Sequence, residues 1–260
     1  MLGIVPAFLR DDEDLELLLR CVVSLRASAP AASLMVVDDG SPRRDLVEQV
    51  QLVCGELGAN LFVKPDNTGF ADAANVGLHR ALVSGADAVL VNADVELVQP
   101  GWLEAMLART DTQGRPAAVV GARLLRPDGT LEHAGWFFSA LSRAWWHRFD
   151  HAPGDLPEAL VPCCCPVSAA LVLIRHETLA TVGPFDAEFR LGYEDVDLAL
   201  RTFAAGLECV YEPAAVAVHA GAAFRGRATQ RSKAWAAASA LRLAEKWRGV
   251  ELSPFVPEAL

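Results

Sequence analysis

Acidic and amide side chains follow three short apolar segments in the first half of the chain, where they could act together. The three polar runs are Asp38-Asp39-Gly40-Ser41, Asp66-Asn67-Thr68-Gly69 and Asn92-Ala93-Asp94. One such residue alone could be a helix cap, but runs that follow successive strands are harder to explain in that way. A carboxylate there could hold a divalent cation, which would neutralise a bound diphosphate.

A second acidic group occurs in the second half, in Tyr193-Glu194-Asp195-Val196-Asp197-Leu198. A carboxylate can accept a proton from a hydroxyl group and so act as a general base. The same residues lie in the first turn of a predicted helix, where the helix dipole favours acids without any catalytic role. Asp197 and Arg201 have i, i+4 spacing, which predicts an ion pair on the helix surface.

The hydrophobic pattern predicts the elements that position these residues. Strands and helices alternate in the first half, which is typical of βαβ units in a parallel sheet covered on both faces. The predicted elements there are strands Leu2–Phe8, Leu34–Val37, Asn60–Lys64 and Asp87–Val91, with helices around Leu15–Leu25, Arg44–Leu57 and Phe70–Leu82. Ligands bind beyond the carboxyl ends of such strands, so Pro6, Ala7, Phe8 and the three polar runs should meet in one crevice.

The second half of the chain is less regular. Its predicted elements are strands Ala117–Leu125, Val167–Ile174, Glu208–Tyr211 and Ala215–His219 and helices Glu194–Ala205 and Thr229–Arg248. Residues 136–149 have no clear period, and their tryptophans could stack on a sugar or pack in the core; these are Trp136, Trp145 and Trp146. No linker divides the chain, so we predict one domain: a nucleotide-binding half at residues 1–94, an acceptor-binding half at residues 95–227 and a C-terminal helical segment at residues 228–260.

Composition narrows the function classes. The formal net charge of −10 argues against a nucleic-acid-binding protein. No apolar run is long enough for a transmembrane segment, and the apolar N-terminus is too short for a signal peptide, so we expect a cytoplasmic protein. The six cysteines lack zinc-ligand spacing and are expected to be reduced. A basic cluster is either a solvated face or a lid that touches phosphates; its members are Arg225, Arg227, Arg231 and Lys233.

Motifs of other nucleotide-binding classes are missing from the sequence. No G-x-G-x-x-G follows the first predicted strand, which disfavours a dinucleotide-binding enzyme. No G-x-x-x-x-G-K-[ST] is present either, which excludes a P-loop NTPase. Phosphates would therefore be bound in another way, and a metal ion held by a strand-end carboxylate is the obvious substitute.

The ordered motifs resemble those of the family 2 glycosyltransferases, whose fold is called GT-A. The similar segments are Val36–Ser41, Asn67–Ala71, Ala74–Gly77, Asn92–Asp94, Gly183–Asp186, Tyr193–Leu198 and His219, within a span from about Leu2 to Arg227. The run from Asn67 to Gly77 looks most similar to rhamnosyltransferase-like and galactofuranosyltransferase-like members. The resemblance implies a single α/β domain with a Rossmann-like, mostly parallel central sheet flanked by helices.

The resemblance also implies a role for each matching residue. Nucleotide-sugar binding is implied for Pro6, Ala7, Phe8, Asp39, Asn67, Gly69, Asn75, Asn92 and Asp94. Asp39 would accept a hydrogen bond from the base, and Asp94 with His219 would bind Mg²⁺ or Mn²⁺ on the diphosphate. Asp195, with Glu194 beside it, would be the general base. The metal-binding triplet begins here with Asn92 rather than Asp, which leaves one full carboxylate in it.

These residues predict an inverting glycosyltransferase that moves a sugar from a UDP- or dTDP-linked donor to a hydroxyl group. The resemblance implies polysaccharide or cell-wall biosynthesis and a glycan or lipid-linked acceptor, and the final helix could touch the inner face of a membrane. Two alternatives stay open. One is a GT-A-fold glycan-binding or scaffold protein without turnover, because the triplet is weakened at Asn92. The other is a sugar nucleotidyltransferase, whose basic, glycine-rich signature is not supplied by residues 6–10.

Overall fold

The computed structural model describes residues 1–110, 117–221, 229–252 and 255. The strands are β1 Leu2–Ala7, β2 Ser33–Asp38, β3 Asn60–Val63, β4 Ala88–Val91, β5 Val95–Glu96, β6 Val119–Leu125, β7 Leu131–His133, β8 Trp136–Ser139, β9 Ala144–His147, β10 Cys163–Cys164, β11 Leu171–Ile174 and β12 Cys209–His219. The helices are α1 Asp12–Ser28, α2 Arg44–Glu56, α3 Phe70–Ser84, α4 Trp102–Thr110, α5 His176–Val182, α6 Glu194–Ala204 and α7 Gln230–Lys246, with a 3₁₀ turn at Pro157–Leu160.

A mixed ten-stranded sheet runs through the centre in the order β10-β12-β6-β11-β4-β1-β2-β3, with β5 paired to β12 and β7 paired to β6. Strands β1 to β4 are parallel, as are β6 and β12, whereas β11 runs antiparallel between β4 and β6. One apolar layer packs α1, α2 and α4 on one face, and another packs α3, α5 and α6 on the other. The predicted α/β fold with a mostly parallel central sheet is confirmed.

Helix α3 lies close to the sheet because small residues line its inner face. Ala71, Ala74 and Ala81 are fully buried against the strands. A methyl group at Gly77 would lie 2.5 Å from Ile4 Cγ2 of β1, which is inside van der Waals contact. This packing fixes the start of α3, and the loop before it, beside the carboxyl ends of the parallel strands.

Strand bounds in the second half differ from the sequence prediction. Segments 208–211 and 215–219 form one strand, β12, whose pairing with β6 shifts register between Glu212 and Val216. A bulge of this kind interrupts the two-residue period and makes one strand look like two. Strand β11 begins at Leu171 rather than Val167, because the amides of Ser168 and Ala169 donate to side chains instead of to a neighbouring strand.

The segment without a clear period contains the hairpin of β8 and β9, which forms its own two-stranded sheet. Trp136 pairs with His147 across it, and Phe138 pairs with Trp145. Trp145 is buried against Phe138 in an apolar cluster, while Trp146 is 53% exposed. Aromatic residues on both faces of the hairpin hide the alternation that would have predicted it.

Helix α7 is attached to α6 and to the preceding loop by ion pairs. Arg242 and Lys246 donate to the carboxylate of Asp186 at 2.7 and 2.9 Å. Lys246 also lies 2.8 Å from Asp197, which pairs with Arg201 at 2.9 Å as predicted. The predicted surface location of that pair is wrong, because α7 covers this side of α6 and Asp197 is fully buried.

Among the described residues, no helix is long and apolar enough to cross a membrane. Two members of the basic cluster that the sequence analysis gave as a solvated face or a lid, Arg225 and Arg227, lie outside the described residues. Arg231 is described, and its Nη2 donates to the carbonyl oxygen of Asn67 at 2.9 Å while its guanidinium lies 4.4 Å from the ring centre of Trp235. The start of α7 therefore contacts the loop that precedes α3.

Candidate active site

The carboxyl ends of β1 and β2 form one wall of the crevice. Pro6 lies opposite Val37 in the parallel ladder, and the Asp39 amide donates to the Ala7 carbonyl oxygen at 2.8 Å. Pro6 and Ala7 are buried, whereas Phe8 is half-buried at the end of β1. The residues predicted to line a nucleotide base therefore lie side by side at the predicted edge.

The carboxylate of Asp39 is held by a lysine that the sequence analysis missed. Lys64 Nζ donates to Asp39 Oδ1 at 2.6 Å and to Asp72 Oδ2 at 2.7 Å, and it also contacts the Thr68 hydroxyl. The Gly69 amide donates to Asp39 Oδ2 at 2.9 Å. Lys64 directly follows the short strand β3 and precedes a polar run, and a charge in that place is the signal that could have identified it. Asp39 is thus fixed in position before any ligand binds.

Two glycines let the polar loops touch each other and the start of α6. Gly40 and Gly69 have φ of +68° and +110°, which other residues rarely adopt. A methyl group at Gly40 would lie 2.4 Å from the backbone of Asp66, and one at Gly69 would lie 2.4 Å from the Arg190 carbonyl oxygen. The loop also carries Asn67, whose buried Oδ1 has no hydrogen-bond partner among the described residues.

Asn75 lies on α3 and uses its side chain within the protein. Its Nδ2 donates to the Phe185 carbonyl oxygen at 2.8 Å, and its Oδ1 accepts from the Phe185 amide at 3.0 Å. Asn75 is 6% exposed. The structure brings it to the loop that leads toward α6 and not to the group around Asp39, so these contacts support a positioning role.

Asp94 and His219, the predicted metal ligands, are in contact. Asp94 Oδ1 lies 3.1 Å from His219 Nε2, and the Ala220 amide donates to the Asp94 carbonyl oxygen at 2.9 Å. Glu132, a buried residue of β7 that the sequence analysis missed, places Oε2 2.9 Å from His219 Nδ1. Asn92 precedes Asp94 by two residues, and its buried Oδ1 has no hydrogen-bond partner among the described residues.

Charge explains the protonation of His219 in this arrangement. Burial alone would lower the pKa of His219, because it disfavours the charged imidazolium. The carboxylates of Asp94 and Glu132 outweigh burial and raise the pKa of His219 to about 10. The imidazolium is the proton form of this group, with one carboxylate on each ring nitrogen.

Asp195 lies at the start of α6 and is 8% exposed. Its Oδ2 accepts from Trp136 Nε1 at 3.2 Å and from the Ala169 amide at 3.3 Å, and its Oδ1 accepts from the Val196 amide at 2.8 Å. Burial raises the pKa of Asp195 to about 6, although these three donors oppose the shift. A carboxylate with a raised pKa and a fixed orientation is well suited to accept a proton.

Glu194, beside Asp195, is buried and lacks such donors on one oxygen. Its Oε2 has no hydrogen-bond partner among the described residues. Burial, together with the charge of Asp195, raises the pKa of Glu194 well above its ordinary value. Burial thus favours the neutral form of Glu194 beside the candidate base.

Residues 168–170, which precede β11, connect Asp195 with the turn at Asn92–Asp94. The Ala169 amide donates to Asp195, and the Ala170 carbonyl oxygen accepts from the Asn92 amide at 2.9 Å. The Ser168 amide donates to His133 Nε2 at 2.9 Å. The candidate base and the Asn92–Asp94 turn are thus bonded to two adjacent residues, Ala169 and Ala170, whereas Asp39 lies across β4 and β1 at the other wall.

Two histidines support the tryptophan that donates to Asp195. His133 Nδ1 lies 3.0 Å from His147 Nδ1, and the ring of His147 lies 3.9 Å from the ring of Trp136. His133 is fully buried, and burial lowers its pKa well below the ordinary value, so its ring is neutral. Because its Nε2 accepts from Ser168, we assign its proton to Nδ1.

We expect Lys64→Met to destabilise the protein by about 3 kcal/mol, because the substitution leaves the Asp39 carboxylate buried without its cation. The double variant Asp39→Asn with Lys64→Met should recover part of that loss. Urea unfolding of the two single variants and the double variant measures the coupling. The exposed Lys233→Met is the matched control and should unfold like the wild type. Additive effects of the two single substitutions would contradict the assigned pairing.

Known proteins resemble this chain both in sequence and in fold. The sequence profile described as "Glycosyl transferase family 2" matches residues 4–172. The O-antigen biosynthesis protein RfbC of Myxococcus xanthus is 30% identical over 179 residues, which cover 66% of this chain and 14% of RfbC. The N-acetylglucosaminyl-diphospho-decaprenol L-rhamnosyltransferase of Mycobacterium tuberculosis is 27% identical over 228 residues, which cover 79% of this chain and 71% of that enzyme.

Two of the curated relatives are much longer than the matched region. The chain spans 14% of RfbC and 22% of a relative from Sinorhizobium fredii. Among solved structures, GalNAc-T7 with UDP, GalNAc and Mn²⁺ superposes with a TM-score of 0.65 at 17% identity, covering 84% of this chain and 43% of that one. This similarity confirms the predicted GT-A fold. The family profile matches more than half of the chain and shows that the chain belongs to glycosyl transferase family 2.

Proposed function

We propose that this glycosyltransferase moves a sugar from a nucleoside diphosphate donor to a hydroxyl group in a single inverting displacement, with Asp195 as the general base. The observation that carries the proposal is the connection made by residues 168–170. It places the buried, oriented carboxylate of Asp195 next to the turn that holds Asp94. One group can take the acceptor proton while the other stabilises the departing diphosphate.

The residues at Asp94 fit a divalent cation, although no group of three or more His, Cys, Asp or Glu side chains within the described ranges is arranged to hold a metal ion. Mg²⁺ takes octahedral ligands at about 2.1 Å, so two neighbouring ligand atoms lie about 3 Å apart. Asp94 Oδ1 and His219 Nε2 are 3.1 Å apart. Glu132 on the opposite ring nitrogen fits the carboxylate that commonly orients a metal-bound histidine.

Mg²⁺ or Mn²⁺ bound there would neutralise charge on the leaving diphosphate. The buried Oδ1 of Asn92 is a further oxygen without a partner in the described structure, and it is suited to the ion or its water. The proton on His219 must leave before its nitrogen can coordinate, so metal binding should release a proton and strengthen with rising pH. The Mn²⁺ in the GalNAc-T7 structure supports this assignment.

We assign the donor nucleotide to the wall formed by β1 and β2. Asp39 accepts from the base, and Pro6, Ala7 and Phe8 line the base and ribose. Lys64 orients the Asp39 carboxylate, while Asn67 and Gly69 shape the loop beside the nucleotide. UDP and dTDP are the candidate nucleotides.

We assign the acceptor to the side of Asp195 that carries aromatic rings. Trp136 and Tyr193 are half-buried, and their ring centres lie 6.4 Å apart next to the carboxylate. Aromatic faces of this kind can pack on sugar C–H groups. The named acceptor of the mycobacterial relative supports a lipid-linked glycan, and hence work at the inner face of the membrane in the cytoplasm.

Calorimetric titration of UDP and of dTDP, each with and without Mn²⁺, tests the proposal. We expect one nucleotide to bind much more tightly when Mn²⁺ is present, because Asp94 and His219 would hold the cation and the cation would neutralise charge on the diphosphate. Metal-dependent hydrolysis of the matching sugar nucleotide should accompany binding. If neither nucleotide binds with the metal present, the donor site is wrongly assigned and a glycan-binding domain without turnover becomes the better description.

A further inference from the structure

A pair of cysteines lies outside the site described above. Cys163 is the first residue of β10, and Cys165 is the residue directly after that strand. Because side chains alternate along an extended segment, Cys163 and Cys165 point to the same side. Their sulfur atoms are 3.2 Å apart. Cys164 between them points the other way and is exposed. All three thiols are reduced.

The two thiols have different surroundings. Arg148 Nη1 donates to Cys163 Sγ at 2.6 Å, and Cys163 is partly exposed. The hydrogen bond from Cys165, together with the Arg148 charge, lowers the pKa of Cys163 to about 7. Cys165 is 6% exposed, and its hydrogen bond to Cys163 and its burial raise its pKa well above the ordinary value. One sulfur is thus an accessible nucleophile and the other a thiol in contact with it.

The other ionisable groups that face the two cysteines are uncharged, so they do not reverse the difference between the pKa values of Cys163 and Cys165. Tyr211 lies opposite Cys163 in the ladder between β10 and β12, and its hydroxyl donates to the Ala159 carbonyl oxygen at 2.9 Å. Cys209 is fully buried in the same strand. Burial raises the pKa of both groups, so both are neutral near pH 7.

We propose that Cys163 and Cys165 form a redox-active dithiol, which hydrogen peroxide or an organic hydroperoxide oxidises to a disulfide. The Cys163 thiolate attacks a peroxide oxygen; an S–O bond forms, the O–O bond breaks, and the leaving hydroxide or alkoxide takes a proton to become water or an alcohol. Cys165 then loses its proton and attacks the Cys163 sulfur. The S–S bond forms, the S–O bond breaks, and the second hydroxide leaves as water. The two sulfurs lose two electrons in all, and the peroxide gains them.

Formation of the disulfide between Cys163 and Cys165 requires little movement of the sulfur atoms, but the resulting ring is strained. A disulfide has an S–S length of about 2.05 Å, so the sulfurs must approach by only about 1 Å. The ring encloses a single intervening residue, which keeps the backbone close to extended and away from relaxed disulfide geometry. Strained, partly exposed disulfides are easily reduced, so the oxidised form should be reversible under mild thiol reductants.

The dithiol also packs directly against the base of the β8–β9 hairpin. A methyl group at Gly135 would lie 2.5 Å from Cys165 Sγ, and the Trp136 amide donates to the Pro166 carbonyl oxygen at 2.8 Å. The Arg148 amide donates to the Gly135 carbonyl oxygen at 2.9 Å. Oxidation removes the thiolate that Arg148 contacts, and therefore changes one support of this hairpin.

Peptide mapping of the full chain after treatment with one equivalent of hydrogen peroxide tests the proposal without any activity assay. We expect a disulfide that joins Cys163 to Cys165 before Cys164 is modified, and its full reversal by dithiothreitol. Cys165→Ser should stop the reaction at a Cys163 sulfenic acid, detected with a dimedone probe. Cys164→Ser is the matched control and should form the disulfide at the wild-type rate.

Arg148→Gln should slow disulfide formation at pH 7 by roughly fivefold, because it lowers the thiolate fraction of Cys163. Circular dichroism checks that each variant is folded, and mapping of the wild type decides the question if a variant is not. First oxidation at Cys164, or over-oxidation of Cys163 in the wild type without a disulfide, would overturn the proposal.

Discussion

Asp195→Asn is expected to lower kcat for sugar transfer by about 10²–10⁴-fold, the usual contribution of a general base. The amide keeps the size of the side chain and one oxygen for the donors Trp136 and Ala169. What it loses is the ability to take the acceptor proton. Initial rates with saturating donor and acceptor measure the effect, and calorimetry of the donor nucleotide should give an unchanged Kd.

Glu194→Gln is the matched control for this substitution. Burial and the charge of Asp195 raise the pKa of Glu194 and favour its neutral form, which glutamine resembles, so kcat should stay within a few-fold of the wild type. Near-normal transfer by Asp195→Asn would show that Asp195 is not the base. An equal loss in both variants would instead indicate that the start of α6 acts through its structure.

The pH profile of the wild type adds a second readout. Because burial raises the pKa of Asp195 to about 6, kcat/KM should fall as the pH drops through that value, and this limb should be absent in the residual activity of Asp195→Asn.

The free energy of unfolding should depend on pH in the opposite direction to kcat/KM. A carboxyl group whose pKa is raised by folding stabilises the native state when protonated and loses that contribution as the pH rises through the folded pKa. Asp195→Asn should therefore be at least as stable as the wild type at pH 8.

Asp94→Ala is expected to abolish the metal-dependent part of nucleotide binding, weakening it by about 10²-fold or more, since a cation on a diphosphate supplies several kcal/mol. Calorimetry with Mn²⁺ measures the loss, and binding without metal should be the same in variant and wild type.

Glu132→Gln should weaken Mn²⁺ binding by about 10–100-fold, because Glu132 orients His219 and does not itself bind the ion.

Glu96→Gln is the control for charge alone. Glu96 lies on β5 two residues beyond Asp94, and its backbone pairs with Val218. The substitution removes a negative charge near the site without touching Asp94 or His219, so metal-dependent binding should be unchanged. Equal losses in Asp94→Ala and Glu96→Gln would mean that general negative charge, and not coordination by Asp94, attracts the cation.

The first half of the fold could be predicted because its strands and helices alternate along the chain and each is marked by its own residues. Each apolar run ends in a polar turn, and parallel βαβ units leave only one edge where Asp39, Asn67 and Asp94 can meet. The second half could not be predicted to the same degree. The bulge in β12 interrupts the period of that strand, and the aromatic hairpin β8–β9 shows no alternation that a sequence pattern could use.

Candidate site residues could be predicted from the sequence where a segment resembles a family motif, but not where residues far along the chain contact them. Asp94, Asp195 and His219 stand in segments that resemble the family's motifs, and Asp94 and His219 lie in contact. Glu132 and Lys64 act through partners far along the chain, and a single charged residue in a short strand gives no sign of its partner. The burial of Asp197 depends on α7, which α6 alone could not reveal.

The short segment of residues 168–170 has a consequence for thermal motion. Since Asp195 and Asn92 are bonded to consecutive residues, Ala169 and Ala170, their displacements should be correlated. When the sheet twists, Asp195 and the Asn92–Asp94 turn should move together with residues 168–170, and the distance between them should change little. A misplacement of about 1 Å can cost 10²-fold in rate. In the proposed reaction, the span between the candidate base and the turn that carries Asp94 should therefore stay constant while substrates bind.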